Sequence, residues 1–154
     1  AKEMLDEVKK NLPVDIAICA AAVADFKPSK KNKNKLKKNK NIFKSIDLEN
    51  NQDILEYLGK NNKNRPRIVV GFSAETEDLN RNATIKLREK NCDLIIANDV
   101  SKKDSGFNSD YNRVSIIDGS GNIKELKRNK KSFIASKIAE VVLDKLLIDD
   151  RNFN

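Results

Sequence analysis

Arg67-Ile68-Val69-Val70-Gly71-Phe72 is an unbroken apolar run bounded by a charge and a glycine, and it decides how the chain is read. A run this short, rich in β-branched residues and without polar alternation, suits a strand buried on both faces of a parallel sheet. Two further runs match it. Asp15-Ile16-Ala17-Ile18-Cys19-Ala20-Ala21-Ala22-Val23 lies upstream and Asp93-Leu94-Ile95-Ile96-Ala97-Asn98 downstream. Between them lie helical patterns. Asn51-Gln52-Asp53 opens a helix bearing Ile54, Leu55 and Leu58, which Gly59 is expected to close. Leu79, Ala83 and Leu87 form the inner stripe of a second helix, Leu79 to Lys90. Strand, helix, strand, helix, strand predicts a doubly wound, mainly parallel α/β sheet.

The flanks complete the domain. Met4, Leu5, Val8 and Leu12 repeat at helical spacing, and Leu12-Pro13 ends that helix. Ile42 to Leu48 alternates like an edge or half-exposed strand. Arg113 to Ile117 and Asn122 to Leu126, joined by Asp118-Gly119-Ser120-Gly121, predict a C-terminal β-hairpin. Ser132 is expected to cap a last helix, which packs onto the sheet through Phe133, Ile134, Ile138, Val141, Val142 and Leu146. With 154 residues and no internal linker, the expectation is one domain spanning residues 1–154.

Composition narrows the chemistry. The chain is 38 % hydrophobic and 35 % charged, and no apolar run approaches the ~18 residues of a membrane span. A membrane partner is therefore not expected. Histidine is absent, which excludes a histidine triad and any His-ligated metal site. Cys19 and Cys92 sit in apolar runs and read as small buried thiols of a reducing, cytoplasmic protein. Net charge is +8, yet Lys27 to Lys44 alone holds nine lysines and no acid, so removing that segment brings the rest to −1. Such a stretch suits polyanions, or is a solvated loop in an asparagine-rich chain.

Ligands of open α/β sheets bind beyond the carboxyl ends of the strands. The first end, Ala21-Ala22-Val23-Ala24-Asp25, offers small residues for close approach and a carboxylate that can accept from a hydroxyl or amino group. Phe72 at the second can present a flat face to a base. Lys86 and Lys90, four residues apart on a helix, project together and can meet successive phosphates. The helix opened by Asn51-Gln52-Asp53 presents free amides at its start. Each feature taken singly also has an ordinary structural reading.

Taken in order, four motifs become specific. Ala21-Ala22-Val23-Ala24-Asp25-Phe26, Lys35-Leu36-Lys37-Lys38, Val70-Gly71-Phe72-Ser73-Ala74-Glu75-Thr76 and Asp93 to Val100 closely resemble phosphopantothenate–cysteine ligase. This is the phosphopantothenoylcysteine synthetase domain of bacterial coenzyme A biosynthesis. Gly106-Phe107-Asn108-Ser109-Asp110 fits as well, and the resemblance runs from about Pro13 to the last helix.

The resemblance implies a Rossmann-like fold and an amide synthesis in two steps. 4′-Phosphopantothenate and CTP form an acyl-cytidylate with release of pyrophosphate, and the amine of L-cysteine then displaces CMP. It implies Mg²⁺ carried by the nucleotide, with no metal ligand assigned in the protein. It implies FMN only if a decarboxylase domain lies upstream, and a homodimer. The nucleotide would be bound by Asp25, Lys35, Phe72, Lys86 and Lys90, with Cys19, Ala20 and Ala21, and Gln52, Asp53, Ile54 and Leu55, lining the same pocket. Lys35 would be catalytic, on a loop like the family's flap. Ala21 and Ala22 would meet the pantothenate substrate.

Departures are Phe26-Lys27-Pro28 in place of aromatic-Arg-Pro, Ser73 for a common alanine, and Gln52 where a proline usually stands. The family's N-terminal strand, Gly-rich loop and catalytic asparagine have no counterpart before Ala1. The chain is therefore expected to correspond to the C-terminal portion of the ligase domain, incomplete for full activity. The competing expectation is a nucleic-acid-binding α/β module using Lys27 to Lys44, a segment poor in the aromatics that stack on single strands.

Overall fold

The computed structural model describes residues 1–30, 45–61, 63–101 and 109–152. In chain order the elements are α1 (Lys2–Lys10), β1 (Ile16–Cys19), β2 (Phe26–Pro28), β3 (Leu48–Asn50), α2 (Ile54–Lys60), β4 (Ile68–Glu75), α3 (Leu79–Glu89), β5 (Leu94–Asp99), β6 (Tyr111–Asp118), β7 (Ile123–Lys130) and α4 (Lys131–Asn152). Among the described residues, five strands form one sheet in the order β1-β4-β5-β6-β7, and β2 and β3 form a separate two-stranded ribbon. β1, β4 and β5 pair in parallel; β6 and β7 extend the sheet as an antiparallel hairpin.

Alternation along the strands feeds two cores. Val69, Ile95, Ala97 and Ile117 face α1, α2 and α3, meeting Leu5, Ile54, Leu58, Ala83 and Leu87. Ile68, Val70, Leu94, Ile96, Val114 and Ile116 face α4, meeting Ile134, Ile138 and Val142. Helices on both faces explain why β4 and β5 read as continuous apolar runs. The expected doubly wound α/β sheet with its C-terminal hairpin and helix is what forms.

Four local expectations are corrected. The upstream run forms only the short β1, which among the described residues pairs with β4 alone, and Ile18 is half exposed. The strand expected from Ile42 to Leu48 begins only at Leu48, because its ladder extends no further than Pro28 of β2; Ile42 to Lys44 lie outside the described residues. Gly59 does not close α2 but lies inside it, and Asn61 is the C-cap. A Cβ on Gly59 would stand 2.0 Å from the Lys90 carbonyl oxygen, so glycine is there for close packing. Ser132 does not cap α4: the helix starts at Lys131 directly from β7, with the Lys131 amide donating to Asp110 O at 2.9 Å.

Both cysteines are free. Cys92 is buried just before β5, and Cys19 is half-buried at the end of β1.

Candidate nucleotide-binding site

Beside the carboxyl end of β1, the chain that leaves the sheet, the start of α2 and the last turn of α3 enclose a cavity of about 340 Å³. Its walls are set by backbone contacts. The Asn51 amide donates to Asp25 O at 2.7 Å and its side-chain amide to Ala24 O at 3.0 Å, so Asn51 fastens the segment after β1 to the approach of α2. α2 then begins with Asp53 as N-cap, whose Oδ1 accepts from the Glu56 amide at 2.8 Å. One amide of that helix start is thus already taken by its own N-cap. α2 can lie close over β4 because Gly71 has no side chain: a Cβ there would meet Leu55 Cδ2 at 2.6 Å.

Of the residues singled out in the sequence, Cys19, Ala21, Asp25, Gln52, Asp53, Ile54, Leu55, Phe72, Lys86 and Lys90 all line this cavity. Ala20 does not. It lines a second cavity of about 310 Å³ under α4 with Asn98, Asn112 and Lys131, because successive residues leaving β1 face opposite sides. Phe72 borders both cavities. Ala22 lines neither of them, and Lys35 lies outside the described residues.

The two lysines differ in state. Lys90 Nζ lies 2.9 Å from Asp53 Oδ2 and 3.0 Å from Glu56 Oε2, so its charge is paired with two carboxylates. Bonding to Asp53 is the main reason its pKa is raised; burial opposes this and Glu56 adds to it. Glu56 is held below the usual carboxylate range, first by Lys60 and then by Lys90. Lys86 Nζ lies 3.5 Å from Ser73 Oγ, whose hydroxyl donates to Glu75 Oε1. Ser73 is buried, so this departure from the family's common alanine puts a polar group behind Lys86.

Sequence reasoning missed Glu56 as a wall residue. Asp53-x-x-Glu56 has the spacing of a capping box, which signals a helix start but not that the glutamate turns toward two lysines. Three carboxylates, Asp25, Asp53 and Glu56, stand in the wall against Lys86 and Lys90.

An open sheet covered by helices on both faces, with a charged crevice beside a parallel strand end, places the protein among ligand-binding doubly wound α/β domains. Within that class, the chain belongs to the family of the DNA/pantothenate metabolism flavoprotein C-terminal domain, which matches residues 1–146.

Among its relatives, the coenzyme A biosynthesis bifunctional protein CoaBC of Borreliella burgdorferi is 42 % identical over 144 residues, 92 % of this chain and 35 % of that protein. CoaBC of Bacillus subtilis is 40 % identical over 128 residues, 83 % of this chain and 31 % of that protein. A protein of an unknown prokaryotic organism named cysteine/cysteine sulfinic acid decarboxylase is 40 % identical over 129 residues, 84 % of this chain and 35 % of its own length. The chain thus spans about a third of these curated relatives. The crystal structure of a CoaBC C-terminal domain superposes with a TM-score of 0.70 at 32 % identity, covering 97 % of this chain and 63 % of that one.

Proposed function

We propose that this chain carries the nucleotide-binding part of a ligase that joins 4′-phosphopantothenate to cysteine in coenzyme A biosynthesis, through an acyl-cytidylate made from CTP. The observation that carries the reading is convergence: residues from four separate stretches of the sequence, 19–25, 52–55, 72 and 86–90, line one cavity. Membership in the family and similarity to CoaBC proteins support it.

In this reading Lys86 and Lys90 offset phosphate charge, Phe72 stacks on the base, and Asp25 accepts from a sugar hydroxyl or the cytosine amino group. Ala21, in the cavity wall, leaves room for the pantothenate arm. The substrate carboxylate attacks the α-phosphorus and pyrophosphate leaves; the cysteine amine then attacks the acyl carbon, loses its proton, and CMP leaves. Lys35 stabilises the charge that gathers at phosphorus in the first step.

Two lysines facing three carboxylates do not neutralise a triphosphate, and Mg²⁺ bound with the nucleotide supplies the remaining cationic charge. Asp53 and Glu56 are engaged with Lys90. In this reading the metal is carried by the nucleotide. FMN would serve only a decarboxylase segment joined to this chain. The reading extends to a homodimer acting in the cytoplasm.

Calorimetric titration with CTP and ATP, each with Mg²⁺, tests the reading. CTP is expected to bind more tightly than ATP, and Asp25→Ala or Lys86→Ala to weaken it. Failure of either nucleotide to bind, with tight and steeply salt-dependent RNA binding instead, would favour the nucleic-acid module.

A further inference from the structure

An ion network joins the start of α2 to the end of α3, and nucleotide contacts alone do not account for it. Glu56 is shared: its Oε2 lies 3.0 Å from Lys90 Nζ and its Oε1 2.6 Å from Lys60 Nζ. The two lysines stand in different places. Lys90 lines the cavity and its side chain is 22 % exposed; Lys60 is not in the wall and is 53 % exposed. Asp53 is fixed separately, with one oxygen on Lys90 and the other accepting the Glu56 amide.

We infer that Glu56 and Lys60 tune the affinity of the cavity for phosphate-bearing ligands, Lys60 acting from outside it by holding the carboxylate that otherwise occupies Lys90. This rests on reading the cavity as a nucleotide site. A phosphate that reaches Lys90 beside Asp53 must displace Glu56 or bind next to the negative charge of both carboxylates. Lys60 meets both needs, because it keeps Glu56 neutralised once Lys90 has exchanged partners. The spacing suits the task, since Glu N-terminal to Lys at i, i+4 is the favourable orientation on a helix.

The signs of the effects are opposite. Glu56→Gln removes the competing charge and should tighten CTP binding by about two- to fivefold, the scale of a partly exposed ion pair. Lys60→Met leaves Glu56 to Lys90 alone and should weaken binding by a similar factor. Lys60→Met in the Glu56→Gln background should change little, because the residue it acts through is gone.

The experiment is calorimetry of these variants with CTP and Mg²⁺ and with inorganic triphosphate, beside an NMR titration of the Lys90 ammonium without ligand. In that titration Glu56→Gln should lower the Lys90 midpoint and Lys60→Met raise it. Weakening by both single variants, or no change in either, overturns the inference. Failure of the unaltered chain to bind CTP counts against the nucleotide reading instead. The sharing of Glu56 is then judged on the ammonium titration, and is overturned if neither variant moves it.

Discussion

Cys92 is 6 % exposed, and its thiol is pushed up to about 12, mainly by burial and next by the neighbouring Cys19. In the unfolded chain a thiol titrates near ~8.5. The folded value is raised, so this contribution to stability is fully present below ~8.5 and is lost as pH climbs from there toward about 12. Cys19 and Lys90 are also raised, and their contributions fall in the alkaline direction too. Thermal melts of the unaltered chain and of Cys92→Ala between pH 8 and 10.5 should separate the terms. The variant should lose stability less steeply, by at most about 1.4 kcal/mol per pH unit; equal slopes would disprove the assignment. At this scale the sequence was partly legible. A cysteine next to an apolar run reads as a buried thiol. That Lys90 is neutralised by Asp53 and Glu56 could not be read, because those residues lie more than thirty positions away on another helix.

Helices α2 and α3 meet at backbone distance around Gly59. A Cβ there would stand 2.0 Å from Lys90 O and 2.8 Å from Asn91 O, both main-chain atoms that cannot step aside. Arg65 locks the junction: its Nε donates to Gly59 O at 2.9 Å, and Nη2 reaches Asn91 O and Asp93 Oδ2, each at 2.9 Å. Gly59→Ala should therefore cost about 3 kcal/mol in urea denaturation. It should also weaken CTP binding, since Lys90 is carried on the displaced turn. A variant as stable as the parent would show that the helices part freely. The sequence marks this glycine but not its role: the same residue type serves as a helix stop or as a close contact, and only the neighbouring helix distinguishes them. β1 teaches the same lesson, since an apolar run does not say whether a strand has one neighbour or two.

The cavity is assembled from the whole fold: Met4 of α1, the end of β1, the segment through Asp25, the start of α2, Phe72 of β4 and the end of α3. Such a site exists only when the sheet is formed, so its ligand must stabilise the folded state. If CTP with Mg²⁺ is the ligand, a hundredfold excess over Kd should add about 2.7 kcal/mol to unfolding. Melting in the presence of nucleotide measures this. Asp25→Ala should lose the upward shift, and a parent chain that melts unchanged at saturating CTP would sink the nucleotide assignment.

What the sequence determined by itself was the order of elements, the two-faced burial of β4 and β5, and which residue types stand at the strand ends. These follow from local periodicity and from motifs that keep their order along the chain. Tertiary structure alone decided that β1 pairs with β4 alone among the described strands, that Ala20 turns to a different cavity from Cys19 and Ala21, and that the lysines face three carboxylates. Those outcomes depend on which distant segments pack together. Burial and Coulomb energy act through space, and the linear spacing of residues does not carry them.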